Sequence, residues 1–194
     1  MIASVLLSVV QIDTNGTVGS GVVVNAKGDI VTNAHVVGAD TTFTVTASNG
    51  QTYQASLVGS DPSSDLAVIR VSGANSNLKP ATFGDSGQVH VGDVVVAVGS
   101  PLGLSESVSQ GIVSALGRSQ PENRGIVLGD LIQTTATLNP GNSGGALVDI
   151  NGHVIGITVL SAGSGRGGGA TSIGFAIPSN QVLKVAKQLG AAVP

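Results

Sequence analysis

Apolar residues along this chain fall in short, β-branched runs separated by clusters of Gly, Asn, Asp and Ser. That punctuation predicts an all-β sandwich or barrel, because runs of four to eight residues between turn formers are too short for helices. Strands are expected at residues 4–12, 19–25, 29–32, 42–46, 54–60, 66–71, 94–99, 107–116, 132–134, 146–149, 153–159 and 174–177. About a dozen strands are too many for one small sheet and suit two barrels. The segments Asn25-Ala26-Lys27-Gly28-Asp29 and Ile150-Asn151-Gly152-His153 read as hairpin loops, the second carrying an Asn-Gly pair suited to positive φ.

One helix is expected near the end. After Pro178, Ser179 or Asn180 can cap a segment that puts Val182, Val185, Ala186 and Leu189 on one face; Lys184 and Lys187 favour its C-terminal half, and Gly190 stops it. There is no Pro-rich or charged linker and no repeat. A single biased tract, residues 161–171, holds five glycines and is flexible in isolation.

Composition narrows the picture. With 41% apolar residues but only three Phe and one Tyr, the core must be built from many small side chains. A chain of 194 residues buries roughly 70% of its unfolded surface, enough for a substantial core. Charged residues make up 10% of it, against about 25% in an average domain, and the net charge of -3 offers no basic field for phosphates. Nucleic acid is therefore excluded as a partner. Without cysteine there are no disulfides, thiolate zinc sites or thiol nucleophiles, and the redox compartment is unreadable. The apolar start, residues 1–10, is too short to span a bilayer and lacks the positive flank of a signal peptide.

Three segments carry candidate chemistry. Asn139-Pro140-Gly141-Asn142-Ser143-Gly144-Gly145 can present a serine on a tight turn with backbone N–H groups around it, which a nucleophile needs; a plain β-turn uses the same residues. Thr32-Asn33-Ala34-His35-Val36-Val37 holds His35 at the end of an apolar strand, where a structural histidine is equally at home. Asp65 opens the strand run Leu66-Ala67-Val68-Ile69 and also reads as a simple turn carboxylate. His90 and His153 lie in turn-like surroundings with no partner pattern and read as surface residues.

Taken in order, His35, Asp65 and Ser143 resemble the chymotrypsin-like serine proteases, and more closely the bacterial HtrA/Deg family of that fold. The likeness also runs through Gly19-Ser20-Gly21-Val22, Gly99-Ser100-Pro101-Leu102-Gly103, Gln110-Gly111-Ile112-Val113-Ser114-Ala115-Leu116-Gly117-Arg118 and Gly174-Phe175-Ala176-Ile177-Pro178. It implies two packed six-stranded antiparallel β-barrels with a C-terminal helix, in one protease domain whose barrels meet near residue 80. It further implies Ser143 as nucleophile, His35 as general base and then acid, and Asp65 as the group orienting the imidazole. The N–H groups of Gly141 and Ser143 become the oxyanion hole. Losing one such donor costs about 3 kcal/mol of transition-state stabilisation. Rate is expected to rise with pH as His35 loses its proton.

By the same matching, the S1 pocket is lined by Leu138, Val159, Leu160 and Ser161, with no acidic residue to pair with Lys or Arg. A small apolar P1 side chain fits it. Asn142 replaces the aspartate that pairs with a freshly cut N-terminus in trypsin-like enzymes, so zymogen cleavage is not expected. Thr135 after Ile132-Gln133-Thr134 and Val159 depart from the family pattern. Residues 100–107, 117–130 and 161–171 correspond to the activation loops, with Arg118 either a contact between loops or a solvated surface residue.

The implied activity is an ATP-independent serine endopeptidase acting on unfolded or damaged proteins, with no metal and no cofactor. The alternative is a proteolytically silent, chaperone-like module for unfolded chains. The resemblance implies a homotrimer for the full-length protein, in a periplasmic, secreted or membrane-tethered setting. PDZ domains, usual in the family, are not expected within these residues.

Overall fold

The computed structural model describes residues 2–73, 78–100, 107–121, 126–159 and 173–193. Six strands, β1 (Val9–Asp13), β2 (Val18–Val23), β3 (Asp29–Thr32), β4 (Thr42–Thr46), β5 (Thr52–Asp61) and β6 (Leu66–Val71), close into one barrel in the order β1-β2-β3-β6-β5-β4. Six more, β7 (Val94–Gly99), β8 (Ser107–Pro121), β9 (Val127–Thr134), β10 (Ala146–Val148), β11 (Val154–Val159) and β12 (Gly174–Pro178), close into a second, in the order β10-β11-β12-β9-β8-β7. All the ladders between named strands are antiparallel.

Why the centres of β3, β6 and β11 carry apolar residues at adjacent positions follows from what lies on their two faces. Side chains of a strand alternate between faces. On β3 and β6, Ile30, Ala67 and Ile69 point into the first barrel, while Val31, Leu66 and Val68 join a layer between the barrels. On β11, Ile155 faces the interior of the second barrel, while Val154, Ile157 and Val159 face that layer. Both faces are dry, so both are apolar. Ile69 is fully buried, and truncating it to Ala should cost about 2–5 kcal/mol.

The first expected strand, residues 4–12, needs correction. Residues Ile2–Leu6 form a short helix, α1, and β1 starts only at Val9. Ile2, Val5 and Leu6 stand at helical spacing and pack on the inter-barrel layer, and the Ser8 N–H donates to the Val5 carbonyl at 2.8 Å. β9 starts at Val127 and not at residue 132, and β8 runs on to Pro121. Most of the described part of 117–130 is thus a bulged hairpin.

Between the barrels, Asp85 caps a 3-10 turn at Ser86–Gln88, accepting from the Gly87 N–H at 2.9 Å. The last helix, α3 (Ser179–Gln188), has Pro178 at its N-cap position with no side-chain cap, so neither Ser179 nor Asn180 caps it. The Ser179 hydroxyl is used elsewhere, donating to the Gly84 carbonyl at 2.7 Å, and Asn180 Nδ2 donates to Asp85. So α3 starts on the second barrel. It ends on the first, where the Leu189 side chain lies over Gly59, Arg70 donates to the Gly190 carbonyl and the Ala192 N–H donates to Asp29.

Candidate active site

His35 rides on a single helical turn, α2 (Ala34–Val37), at the end of β3. Ala34, Val36 and Val37 are buried and hold the turn against the barrel, which leaves the side chain of His35 outward and one-third exposed. The sequence placed this histidine on a strand end; the structure gives it the exposed position of an amphipathic turn.

Asp65 sits just before β6 with φ of 52°, a left-handed conformation that Asp tolerates better than most residues. Its turn is organised by Asp61, whose carboxylate accepts from the Ser63 N–H at 3.0 Å, the Ser63 hydroxyl at 2.6 Å and the Ser64 hydroxyl at 2.7 Å. Those bonds, led by the Ser63 hydroxyl, hold the Asp61 carboxyl below the usual range against partial burial. Asn33 Nδ2 then donates to the Asp65 carbonyl at 3.0 Å. With its backbone fixed, the buried Asp65 carboxylate meets His35 Nδ1 at 2.8 Å and 3.0 Å and accepts from the His35 backbone N–H at 3.0 Å. A carboxylate accepts and never donates, so Nδ1 carries the proton and the ring's lone pair lies on Nε2.

The serine loop joins β9 to β10. Gly141 at φ 96° and Gly144 at φ 82° give it turns that other residues resist. The Asn142 N–H donates to the Asn139 carbonyl at 3.0 Å, and the Gly145 N–H donates to the Asn142 carbonyl at 2.9 Å. Thr158 on β11 binds the loop from below: its hydroxyl donates to the Asn142 carbonyl at 2.6 Å, and its carbonyl accepts from the Gly144 N–H at 2.9 Å. From the other barrel, the Ser20 N–H donates to the Ser143 carbonyl at 2.8 Å. This last bond draws the serine loop onto the barrel that carries His35 and Asp65.

Of the expected S1 residues, Leu138 is half-buried and packs at the rim of the second barrel, close against Gly174. Val159 lies in the inter-barrel layer, paired in register with Phe175, so its side chain and that of Leu138 enter different clusters. Leu160 and Ser161 lie outside the described residues, as do most of 100–107 and all of 161–171. His153 has a partner the sequence did not suggest, Asp149, 3.3 Å away in the β10–β11 hairpin. Among the described residues no group of three or more His, Asp or Glu side chains is arranged to hold a metal ion, and no helix is long and apolar enough to cross a membrane.

Four supports escaped the sequence reading: Asp61, Asn33, Ser20 and Thr158. Only Asp61 left a signal, since Asp-Pro-Ser-Ser is a typical side-chain-capped turn.

The family model described as "Trypsin-like peptidase domain" matches residues 19–157. The periplasmic pH-dependent serine endoprotease DegQ of Escherichia coli is 46% identical over 88% of the chain, and the periplasmic serine endoprotease DegP of the same organism is 48% identical over 88%. Serine protease PepD of Mycobacterium tuberculosis is 42% identical over 96%. The chain spans 37%, 35% and 45% of the length of these relatives. A solved structure of the HtrA-type protease AlgW with a tripeptide superposes with a TM-score of 0.85 at 39% identity, over 97% of this chain and 62% of that one. The matched region takes in the strands and turns bearing His35, Asp65 and Ser143, and the chain accordingly belongs to the trypsin-like peptidase family, on its HtrA/Deg side.

Proposed function

We propose that this chain is a serine endopeptidase in which Ser143 is the nucleophile, His35 the proton carrier and Asp65 the group that orients the imidazole. The observation that carries the reading is the Asp65 carboxylate on His35 Nδ1 and on the His35 backbone N–H together. With Nδ1 committed to Asp65, Nε2 is the basic nitrogen. It takes the Ser143 hydroxyl proton as Oγ bonds to the peptide carbonyl carbon. The carbonyl oxygen becomes anionic and is received by the N–H groups of Gly141 and Ser143. As the intermediate collapses, the C–N bond breaks and His35 returns the proton to the departing amine. Water, deprotonated by the same nitrogen, then releases the acyl group and restores the hydroxyl.

The substrate we propose is an unfolded or damaged polypeptide cut after a small apolar P1 residue, without ATP, metal or cofactor. Leu138 supports the P1 preference, and none of the expected pocket residues is acidic. The names of DegQ and DegP support a periplasmic setting, and the resemblance supports a homotrimer of the full-length protein, which sedimentation of that protein would test.

Labelling by a fluorophosphonate, with cleavage of casein in EDTA and without ATP, tests the reading. Folded wild-type protein should label and cut, and Ser143→Ala should do neither. Wild type that stays folded yet binds casein without cutting it would favour a holding module instead. A peptide-library digest reads the P1 residue directly.

A further inference from the structure

Ser20 lies on β2 where the first barrel meets the serine loop, fully buried, and its polar groups reach across that junction. Its hydroxyl donates to the Gly141 carbonyl at 2.6 Å and accepts from the Ser100 N–H at 2.9 Å. Because Ser100 offers only a proton here, the single proton of the Ser20 hydroxyl must go to Gly141. The Ser20 N–H meanwhile donates to the Ser143 carbonyl at 2.8 Å, and the Ser20 carbonyl accepts from the Thr32 hydroxyl at 2.7 Å.

Gly141 has no side chain to limit its rotation, and φ of 96° is one of several conformations open to it. The direction of its N–H is therefore not set by the loop alone. The Gly141 carbonyl and the Asn142 N–H belong to one planar peptide unit. Ser20 holds the oxygen of that unit, and the Asn139 carbonyl holds its N–H.

We propose that Ser20 is a positioning residue for the oxyanion hole: its hydroxyl holds the Gly141–Asn142 peptide and its N–H holds the Ser143–Gly144 peptide, so that the units directly following the N–H groups of Gly141 and Ser143 are both pinned to the other barrel. The proposal rests on the function proposed above. It assigns to the other barrel the task of shaping a site built from the serine loop.

The test is Ser20→Ala, with Ser20→Cys as a second variant that fills the space but donates poorly. Removing one direct oxyanion donor costs about 10²–10³ in kcat, and releasing the clamp on that donor should cost about tenfold or more by the same chemistry. The expected result is a fall in kcat at nearly constant KM. Affinity for a peptide boronate, whose adduct with Ser143 is tetrahedral, should fall by a similar factor, while affinity for a non-cleaved product peptide stays level. Unchanged kcat in both variants would overturn the proposal, as would equal losses for boronate and product peptide, which report general disorder. Ser143→Ala is run beside them: if it remains active, the underlying reading fails; if it is inactive while Ser20→Ala is fully active, only the role of Ser20 fails.

Discussion

One oxygen of Asp65, Oδ1, receives both the backbone N–H and the ring Nδ1–H of His35, and Oδ2 closes on the same ring nitrogen. The turn that carries the histidine and the plane of its ring are set by a single carboxylate. The backbone of that carboxylate is held in turn by Asn33, two residues before the histidine.

Asp65→Asn separates the chemistry from the fold. Asn also tolerates φ near 52°, so melting temperature should move by only a few degrees. Its amide cannot accept from Nδ1 at both positions, so the wrong tautomer is favoured. A drop in kcat of about 10⁴ is expected. Steady-state kinetics on a fluorogenic peptide with calorimetry on the same sample reads both, and an unchanged kcat would remove Asp65 from its role.

Asp61→Ala should act on the same site at one remove. It deletes the acceptor for Ser63 and Ser64, so the turn loosens without losing a reacting group. Stability should fall by about 1–2 kcal/mol, and kcat should fall by less than in Asp65→Asn. Urea denaturation and initial rates distinguish this from a purely global effect, which would leave kcat of the folded fraction intact.

Two glycines with nearly equal φ separate strain from collision. Gly50 at φ 81° has open space where a Cβ would go, whereas at Gly144, φ 82°, a Cβ would strike the Ser20 carbonyl and the Thr32 hydroxyl. Gly50→Ala should cost only the backbone term, about 1–2 kcal/mol. Gly144→Ala should cost clearly more and abolish fluorophosphonate labelling. Equal denaturation midpoints for the two variants would contradict the packing described for the serine loop.

Acid should loosen the junction around Asp29. Burial alone would raise its pKa, but hydrogen bonds from Arg70, Asn25 and the Ala192 N–H, with the charge of Arg70, outweigh that and leave it below the usual value. A carboxyl more acidic folded than unfolded stabilises the fold fully above its unfolded pKa, about 3.9, and the contribution is lost as pH falls through and below that value. Wild type should therefore lose stability between about pH 5 and pH 3 more steeply than Asp29→Asn, measured as urea midpoints across that range. Parallel curves would show that Asp29 gains nothing from its partners.

Much of this architecture is legible in the sequence because two-sided burial and turn chemistry are local properties. The runs at Leu66-Ala67-Val68-Ile69 and in β11 declare strands on sight, and Asn25 and Gly152 mark the β2–β3 and β10–β11 hairpins. Residues 2–6 misled because Ile2, Val5 and Leu6, which stand at helical spacing, also belong to an apolar start that reads as a strand, and the layer that receives Val5 is assembled from both barrels. His35, Asp65 and Ser143 were visible as residue types in sequence order. Ser20 and Thr158 were not, since a buried hydroxyl aimed at a carbonyl 121 residues away leaves no trace in its neighbours. Ser179 shows the same limit: its helix-start signature is real, yet its hydroxyl goes to Gly84.

The seating of α3 sets an order of events during synthesis. The staple between the barrels, from Ser179 on Gly84 to Ala192 on Asp29, follows all twelve strands in the chain. Barrels fold as their strands leave the ribosome, the first before the second, but a nascent chain lacks this fastening until the helix has emerged. Ribosome-arrested chains whose residues up to Pro178 have cleared the exit tunnel should therefore carry two formed barrels and a slack seam, and remain unlabelled by a fluorophosphonate until roughly fifteen more residues emerge.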